Sequence, residues 1–318
     1  MKGAKQTTLR DEVAVTGVGV HSGRTVTLSL LPADDDAGIV FQRVSADGSI
    51  EREVRADVRA VTATEFATVL GDAKGPLCST AEHLLAALRG LHVDNVVVEI
   101  DGPEVPIMDG SAMPFVEALD QAGLTDRASP RRFIEVIKPV RVSIDGAFGE
   151  LRPYEHGFRV EAEIEFNHPL IGKQDLALDV TPDTFRNEIA WARTFGFMKD
   201  VSKLWSAGYA LGASLDNTLV ISDDRVLNPE GLRFADEFVR HKVLDAIGDL
   251  ALAGLPLIGA YKTVRGGHKL NNAVLTALMA NTAAWRVVEA PVERPRAARG
   301  HAELAVGVPA AAYGPDVS

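Results

Sequence analysis

The chain has 318 residues and only one cysteine, Cys78, so it cannot form an intramolecular disulfide. Such sparing use of cysteine is typical of a protein that works in a reducing cytoplasm. No segment approaches the roughly 20 consecutive apolar residues that a membrane-spanning helix requires. The N-terminal sequence MKGAKQTTLRDEV lacks the apolar run of a signal peptide. We therefore expect a cytoplasmic protein with no integral membrane segment.

The chain also lacks an excess of basic residues. It has 33 Lys and Arg against 44 Asp and Glu, which gives a formal net charge of -11. A protein that binds the phosphates of nucleic acid usually presents a basic face, so we expect no nucleic-acid partner. A local basic patch for an anionic small molecule stays compatible with this balance. Hydrophobic residues at 46% and charged residues at 24% are typical of a globular protein.

The two halves of the sequence have predicted strands and helices in a similar order. In the first half, the predicted elements are the strands VAVTGVGVHSG, RTVTLSLLPA and GIVFQRV, the helix STAEHLLAALRGLHV, the strand DNVVVEIDG and the helix FVEALDQAG. In the second half, they are the strands FIEVIKPVRVSID, AFGELRPY and FRVEAEIEFNHP, the helix EFVRHKVLDAIGDLALAGLP, the strand LIGAYKTVR and a helix over NNAVLTALMANTAAWRVV. This order predicts an α+β fold with two related units.

A segment with Pro and several charges, TDRASPRR at residues 125–132, separates these halves and is predicted to be a hinge. We therefore expect an N-terminal α+β domain over residues 1–127 and a C-terminal α+β domain over residues 128–290. The remaining residues, 291–318, are rich in Pro, Ala and Gly and show no periodicity, so we expect a loose tail.

The helix that begins at Glu237 carries a polar stripe on an otherwise largely apolar body. His241, Asp245 and Asp249 recur every four residues, which keeps their side chains on one narrow face. A histidine and an aspartate four residues apart on a helix can hold one metal ion. Two carboxylates on an apolar helix need partners, because an unpaired buried charge is costly. The alternative is a solvated helix face with an incidental histidine.

A third metal ligand must come from another segment, and CSTAEHLLAAL offers Glu82 and His83. His83 could bind the metal while Glu82 removes a proton from bound water. An equally good alternative is structural, since Ser79 and Glu82 have the spacing of a capping box at a helix start. The spacing alone does not separate these two interpretations.

The segment RGGHKLNN adds His268, a residue type suited to proton transfer near neutral pH. By itself, a loop histidine without a role is the more common case. Lys242, Lys262 and Arg265 could form a phosphate-binding patch, although such cations usually face solvent. The remaining histidines are interpreted as structural: His21, His92, His156, His168 and His301.

Taken together, several segments resemble one family, the zinc-dependent UDP-3-O-acyl-N-acetylglucosamine deacetylases of lipid A biosynthesis. The segments are STAEHLLAAL, VPIMDGSAMPF, ARTFGF, RVLNPEGLRFADEFVRHKVLDAIGDL and GGHKLNN. They occur in the family's order, and the resemblance runs from about residue 5 to about residue 285. It implies two domains of similar α+β topology, each a sheet packed with helices, and an active site at the domain interface.

The resemblance also implies roles for individual residues. The positions that match the family's zinc ligands are His83, His241 and Asp245, and Glu82 matches its general base. Other positions match further catalytic and substrate-binding roles. The catalytic positions are His268 as general acid or electrostatic stabiliser, Asp249 as the partner that keeps His268 protonated, and Thr194 as a hydrogen-bond donor to the oxyanion. The positions for the UDP group are Lys242 and Arg265 near the diphosphate and Phe166 near the nucleotide. The positions for the acyl chain are Phe195 on the acyl-chain side and Val201, Leu204, Ala210 and Val220 along the acyl passage.

The implied reaction is hydrolysis of the N-acetyl group of UDP-3-O-[(R)-3-hydroxyacyl]-N-acetylglucosamine, the committed step of lipid A biosynthesis. Zn2+ would polarise the amide carbonyl and lower the pKa of bound water. The expected partner is this acylated UDP-sugar, with transient membrane association left open. Two rival hypotheses are a zinc hydrolase for a different acylated sugar nucleotide and a catalytically silent scaffold. The complete set of polar residues favours an enzyme.

Overall fold

The computed structural model describes residues 5–290, so the loose tail expected over residues 291–318 lies outside the described residues. In the first half, the strands are β1 (Lys5–Leu9), β2 (Val13–Val18), β3 (Thr25–Pro32), β4 (Ile39–Val44), β5 (Ile50–Arg55), β6 (Val61–Ala63), β7 (Val69–Asp72), β8 (Gly75–Cys78), β9 (Val96–Ile100) and β10 (Leu124–Pro130). The helices of this half are α1 (Glu82–Gly90) and α2 (Met113–Ala122).

The second half contains the remaining elements. The strands are β11 (Arg132–Val136), β12 (Val140–Ile144), β13 (Ala147–Arg152), β14 (Phe158–Glu165), β15 (Lys173–Asp179), β16 (Phe195–Phe197), β17 (Leu219–Ile221), β18 (Leu257–Val264) and β19 (Trp285–Glu289). The helices are α3 (Pro182–Thr184), α4 (Val201–Ser206), α5 (Glu237–Leu250) and α6 (His268–Ala280).

Two large sheets, one from each half, pack against helices, and this confirms the predicted α+β class. The first sheet has the strand order β2-β3-β9-β4-β5. The second has the order β12-β13-β18-β11-β19, with β14 paired to β18 and β15 paired to β14. In β3, Val26, Leu28 and Leu30 are buried and alternate with more exposed residues, as expected for a strand with one face on the core.

Helices α1 and α5 pack against each other in the centre of the molecule. Every residue of α1 is buried, including the polar residues Glu82, His83 and Arg89, so these three side chains need partners inside the protein. The two helices approach closely at Gly248 of α5. A Cβ atom at Gly248 would lie 2.0 Å from the carbonyl oxygen of Glu82, so only glycine allows this approach. The contact brings the first turn of α1 beside the polar stripe of α5.

The predicted hinge is a strand in the structure. Residues 124–130 form β10, which pairs antiparallel with β1, and Leu9 lies opposite Leu124. The expected domain boundary at residue 127 therefore falls within a strand. The charged side chains that suggested a linker lie on a two-stranded sheet, where charges are common because they discourage pairing with another chain.

The last predicted helix is too long and begins too late. Helix α6 begins at His268 and ends at Ala280, whereas residues 285–289 form β19. Strand β19 pairs antiparallel with β11, so that Trp285 lies opposite Val136. Trp285 and the two valines that follow it favour a strand, and this pairing decides the conformation. Within residues 5–290, no helix has both the length and the hydropathy needed to cross a membrane.

Candidate metal centre

Three side chains from α1 and α5 converge in the buried centre of the molecule. His83 lies in the first turn of α1, while His241 and Asp245 lie one turn apart on α5. One ligand atom from each residue lies within 4.8 Å of the other two. Asp245 Oδ1 lies 3.3 Å from His241 Nε2 and 3.7 Å from His83 Nε2. The three side chains therefore offer one oxygen and two nitrogens to a common point.

The chemistry of these donors fits a divalent metal ion. Asp245 Oδ1 is buried and has no hydrogen-bond partner within residues 5–290, a costly state for a carboxylate oxygen. His241 Nδ1 donates a hydrogen bond to the Ala192 carbonyl at 3.0 Å, which leaves the lone pair on Nε2. Fixing the imidazole in this way is typical of metal-binding histidines.

The protonation states also suit metal binding. Burial lowers the pKa of His83 to about 3, with a further contribution from His241, and burial also lowers the pKa of His241. Burial alone would raise the pKa of Asp245, but His241 and Lys242 outweigh it and hold this pKa well below its ordinary value. Two neutral imidazoles and one carboxylate are the forms that bind a metal.

Lys242 supports the same carboxylate from the other side. Its Nζ donates a hydrogen bond to Asp245 Oδ2 at 2.7 Å. The ammonium also lies 5.5 Å from the centroid of the Phe195 ring. Lys242 therefore contacts one of the three candidate metal ligands, Asp245, and does not simply point into solvent.

The structure contradicts the capping-box interpretation of Glu82. Helix α1 has Ala81 at its N-cap, and no side chain caps it. The Ser79 hydroxyl donates instead to the Pro103 carbonyl at 3.4 Å. Glu82 Oε2 accepts the backbone N–H of Thr68 at 3.0 Å. The Glu82 carboxylate therefore faces away from its own helix start and towards the buried polar cluster.

The Glu82 carboxyl group has a pKa well above the ordinary value for glutamate. Burial raises its pKa to about 7, and the nearby Asp249 and Asp245 add to the effect, while His268 opposes it. Its Oε1 lies 3.7 Å from His268 Nε2. A carboxylate with this pKa can accept and release a proton near neutral pH.

His268, the first residue of α6, contacts the carboxylate one turn beyond the metal ligands. Its Nδ1 donates to Asp249 Oδ2 at 2.9 Å. Burial would lower the pKa of His268, but Asp249 and then Glu82 outweigh it and raise the pKa to about 10. The imidazole is therefore protonated at neutral pH. Asp249 thus pairs with His268, while Asp245 on the same stripe contacts His83 and His241.

Two further residues hold the Asp249 carboxylate and were not identified from the sequence. The Thr68 hydroxyl donates to Asp249 Oδ1 at 2.5 Å, and Asn271 Nδ2 donates to Oδ2 at 2.8 Å. Asn271 follows His268 by three residues, and this helical spacing could have identified it. Thr68 precedes β7 and has no local sequence signal, because its role depends on a contact 181 residues away.

Of the two expected aromatic residues, Phe195 lies beside His241, and Phe166 lies beside Phe195. The Phe195 ring centroid is 6.3 Å from that of His241, and the Phe166 ring is 5.7 Å from Phe195. Thr194 precedes Phe195, and its backbone N–H donates to the Gly110 carbonyl at 2.8 Å. Thr194 also lies two residues after Ala192, and the Ala192 carbonyl accepts the hydrogen bond that fixes the His241 ring.

The other expected substrate contacts are Arg265, Val201 and Ala210. Arg265 donates to the Gly146 carbonyl at 2.7 Å and lines, together with His268, a cavity of about 490 Å³. Val201 begins α4. Ala210 has a left-handed backbone (φ 55°), donates its N–H to His21 Nδ1 at 3.3 Å, and does not line the cavity that Arg265 shares with His268.

Comparison with known proteins gives a consistent result. A family model described as UDP-3-O-acyl N-acetylglycosamine deacetylase matches residues 6–280. The UDP-3-O-acyl-N-acetylglucosamine deacetylases of Brucella ovis and Brucella abortus (strain S19) are each 53% identical over 288 residues, which cover 90% of this chain and 99% of the relative. The protein of the same description from Brucella melitensis biotype 2 is 52% identical over the same share of each chain. The region matched by the family model includes all three candidate metal ligands.

Proposed function

The chain belongs to the UDP-3-O-acyl N-acetylglycosamine deacetylase family, and we propose that it performs the family's reaction at His83, His241 and Asp245. The enzyme hydrolyses the N-acetyl group of UDP-3-O-[(R)-3-hydroxyacyl]-N-acetylglucosamine. The products are acetate and UDP-3-O-acyl-glucosamine, and the reaction is the committed step of lipid A biosynthesis. The observation that carries the assignment to these residues is the convergence of their ligand atoms within 4.8 Å, beside Glu82 and His268.

We propose that the metal is Zn2+, held by His83 Nε2, His241 Nε2 and Asp245 Oδ1. Three protein ligands of nitrogen and oxygen type are characteristic of catalytic zinc sites. When bound, zinc polarises the amide carbonyl and makes a water molecule easier to deprotonate. Lys242 holds the second oxygen of Asp245, and Ala192 holds the second nitrogen of His241, so the chain itself orients two of the three ligands.

Glu82 acts as the general base in this proposal. The Thr68 N–H holds Oε2, so the carboxylate has a fixed orientation within the polar cluster. A pKa of about 7 is well matched to removing a proton from water near neutral pH. Because Glu82 is adjacent to a ligand but is not itself a ligand, it can transfer a proton without releasing the metal.

His268 supplies the proton that the leaving amine needs. Its Nδ1 proton is held by Asp249, so the proton on Nε2 is the one available to the substrate. Nε2 lies 3.7 Å from Glu82 Oε1, which brings the acid and the base to the same place. We propose that Thr194 donates a hydrogen bond to the oxyanion that forms at the amide carbon, a contribution usually worth a few kcal/mol.

Substrate contacts follow from the charges and apolar groups around this centre. We propose that Lys242 and Arg265 attract the diphosphate, that Phe166 contacts the nucleotide, and that Phe195 contacts the acyl chain. Val201 and Ala210 would line the passage for that chain. Met198, Trp205 and Leu211, in the same segment, are exposed apolar side chains, which favours a transient association with a membrane surface.

The two halves of the chain both contribute to the centre. Helix α1 supplies Glu82 and His83, whereas α5 and α6 supply His241, Asp245 and His268. This division supports our proposal of an active site at the interface of two domains, residues 1–127 and 128–290.

The single cysteine, Cys78, is buried and free, and we propose a cytoplasmic location.

The test measures metal content and acetate release together. The purified protein should contain about one zinc ion per chain and should release acetate from UDP-3-O-acyl-N-acetylglucosamine. UDP-N-acetylglucosamine without the acyl chain serves as the control substrate and should react much more slowly. A zinc-loaded protein that is inert on the acylated substrate but active on another acylated sugar nucleotide would support the rival hydrolase. A metal-free, inert protein would support the silent scaffold.

A further inference from the structure

A second cavity, of about 550 Å³, lies at the other end of α5. We call it the arginine cavity, and we define it by the lining residues Arg89, Arg131, Phe133, Phe158, Leu250 and Ile258. His241 and Leu250 are nine residues apart on α5, which corresponds to about 13 Å along the helix axis. The arginine cavity is therefore separate from the candidate metal centre, and the proposed deacetylase reaction gives it no role.

Two buried guanidinium groups in this cavity share one carboxylate. Arg131 Nε donates to Asp94 Oδ1 at 2.9 Å, and Arg89 Nη1 lies 4.0 Å from the same oxygen. The side chains of Arg89 and Arg131 are 9% and 3% exposed. Arg89 Nη2 donates to the Ala251 carbonyl at 3.5 Å, whereas Arg89 Nε and Arg131 Nη2 are buried and have no hydrogen-bond partner within the described part of the chain. One positive charge is therefore left without a buried counter-charge.

The other titratable groups at the cavity do not supply the missing negative charge. Burial lowers the pKa of His92 to about 4, and Arg131 and Arg89 contribute, so this imidazole is neutral. His156 lines the cavity and is exposed at its rim. Asp183 is the only carboxylate among the lining residues, and it too is exposed to solvent. An unpaired buried charge is costly, so the site favours an anion brought in from outside.

The rest of the wall is apolar. Phe133, Leu250 and Ile258 are buried in the protein and present hydrocarbon to the cavity, and Phe158 is half-buried. The volume lies within the range of about 300–1,000 Å³ that is typical of small-molecule sites. A cationic end beside an apolar wall matches a ligand with one anionic group and one hydrocarbon chain.

We propose that the arginine cavity binds an aliphatic monocarboxylate. Its carboxylate pairs with Arg89 and Arg131, a geometry for which guanidinium groups are well suited. Its hydrocarbon chain packs against Phe133, Phe158 and Ile258. Because the deacetylase reaction has no role in this argument, the inference stands whether or not the proposed function is correct.

The probe is decanoate, titrated into the full-length protein by isothermal calorimetry below its micelle concentration. We expect saturable binding with a dissociation constant below about 1 mM. Decanol lacks the charge and acetate lacks the chain, so each should bind at least about tenfold more weakly. Arg89→Gln should weaken decanoate binding roughly 30-fold, because charge-assisted hydrogen bonds are the strong ones. Arg132→Gln is the matched control and should bind normally, since Arg132 pairs with Asp36 outside the cavity.

A second variant keeps the test decisive if Arg89→Gln does not fold, as judged by circular dichroism. His156→Glu changes only an exposed rim residue and adds a negative charge there, so it should weaken decanoate binding about fivefold through repulsion. Decanoate could also enter the passage proposed for the acyl chain near Val201. Binding there would survive both Arg89→Gln and His156→Glu, and that result would overturn the proposal. Absence of saturable binding, or equal binding of decanol, would overturn it as well.

Discussion

Replacing Asp249 with asparagine tests whether this carboxylate keeps His268 protonated. In the structure, Asp249 accepts hydrogen bonds from His268 Nδ1 and Asn271 Nδ2 on Oδ2, and from the Thr68 hydroxyl on Oδ1. Asparagine has nearly the same shape and keeps one acceptor oxygen, but it removes the negative charge. Asp249→Asn therefore changes the electrostatics at His268 with little change in packing.

The size of the effect follows from the pKa of His268. Burial lowers this pKa, yet Asp249 and Glu82 raise it from 6.5 to about 10. This rise corresponds to roughly 5 kcal/mol in favour of the protonated form. Asp249 contributes more to this rise than Glu82 does, so removing its charge should cancel a large part of it.

The direction in which the pH profile of activity moves follows from the raised pKa of His268. A protonated His268 is present at every pH below about 10, so activity that needs this acid persists through neutrality and declines as the pH rises through that value. Without the charge of Asp249, burial has a larger relative effect and the pKa falls. The alkaline limb of the activity profile should therefore move to lower pH in Asp249→Asn.

The assay is kcat/KM for acetate release from about pH 5 to pH 10.5, since this parameter reports the ionisations of the free enzyme. Asn271→Ala is the control, because it removes a hydrogen bond to the same carboxylate without changing its charge, and its alkaline limb should stay in place. Zinc content should be unchanged in both variants. An Asp249→Asn enzyme whose activity falls equally at every pH, with no movement of the alkaline limb, would refute this account of His268.

Three further substitutions test other parts of the centre. Glu82→Gln should retain zinc but lose roughly 10²–10⁴-fold in kcat, because it removes the general base and leaves the ligands intact; normal turnover would exclude that role. His241→Ala should purify with little zinc, since it removes one of three ligands, and undiminished metal content would remove His241 from the set. Thr68→Val should lower kcat roughly tenfold or more, because it removes a hydrogen bond to a charged carboxylate, whereas Thr68→Ser keeps the hydroxyl and should recover most of the rate. Equal losses in both Thr68 variants would point to packing as the cause.

Helical periodicity was sufficient to predict one part of the centre. The four-residue spacing of His241, Asp245 and Asp249 is a local property of α5, so their common face followed from the sequence. Their partners His83 and His268 lie on α1 and α6, and no periodicity relates three separate helices. Their own segments left both residues as open candidates, and the family resemblance selected them. A physical signal was nevertheless present in Gly248, because a glycine inside an apolar helix often marks a close approach by another backbone.

Three local interpretations that the structure contradicts have a common physical cause. Ser79 and Glu82 have the spacing of a capping box, but Glu82 accepts the N–H of Thr68 from a different segment. Residues 125–132 have the composition of a hinge, but β10 gains backbone hydrogen bonds by pairing with β1, which is distant in sequence. Residues 285–289 continue an apolar pattern, but β19 pairs with β11. In each case a tertiary contact outweighs a local preference, and a local pattern contains no information about that contact.

The buried charges explain why the candidate centre needs a cation. Glu82, Asp245 and Asp249 contribute up to three negative charges, while Lys242 and protonated His268 contribute two positive charges. The chain alone therefore leaves the cluster with one excess negative charge when Glu82 is ionised. Burial is the main cause of the pKa of about 7 at Glu82, and the charges of Asp249 and Asp245 add to it. A divalent ion at His83, His241 and Asp245 would reverse the sign of the cluster and favour the ionised form of Glu82, the form that a general base requires. The arginine cavity has the opposite imbalance, with two guanidinium groups and one carboxylate, and this is why we infer a cation at one end of α5 and an anion at the other.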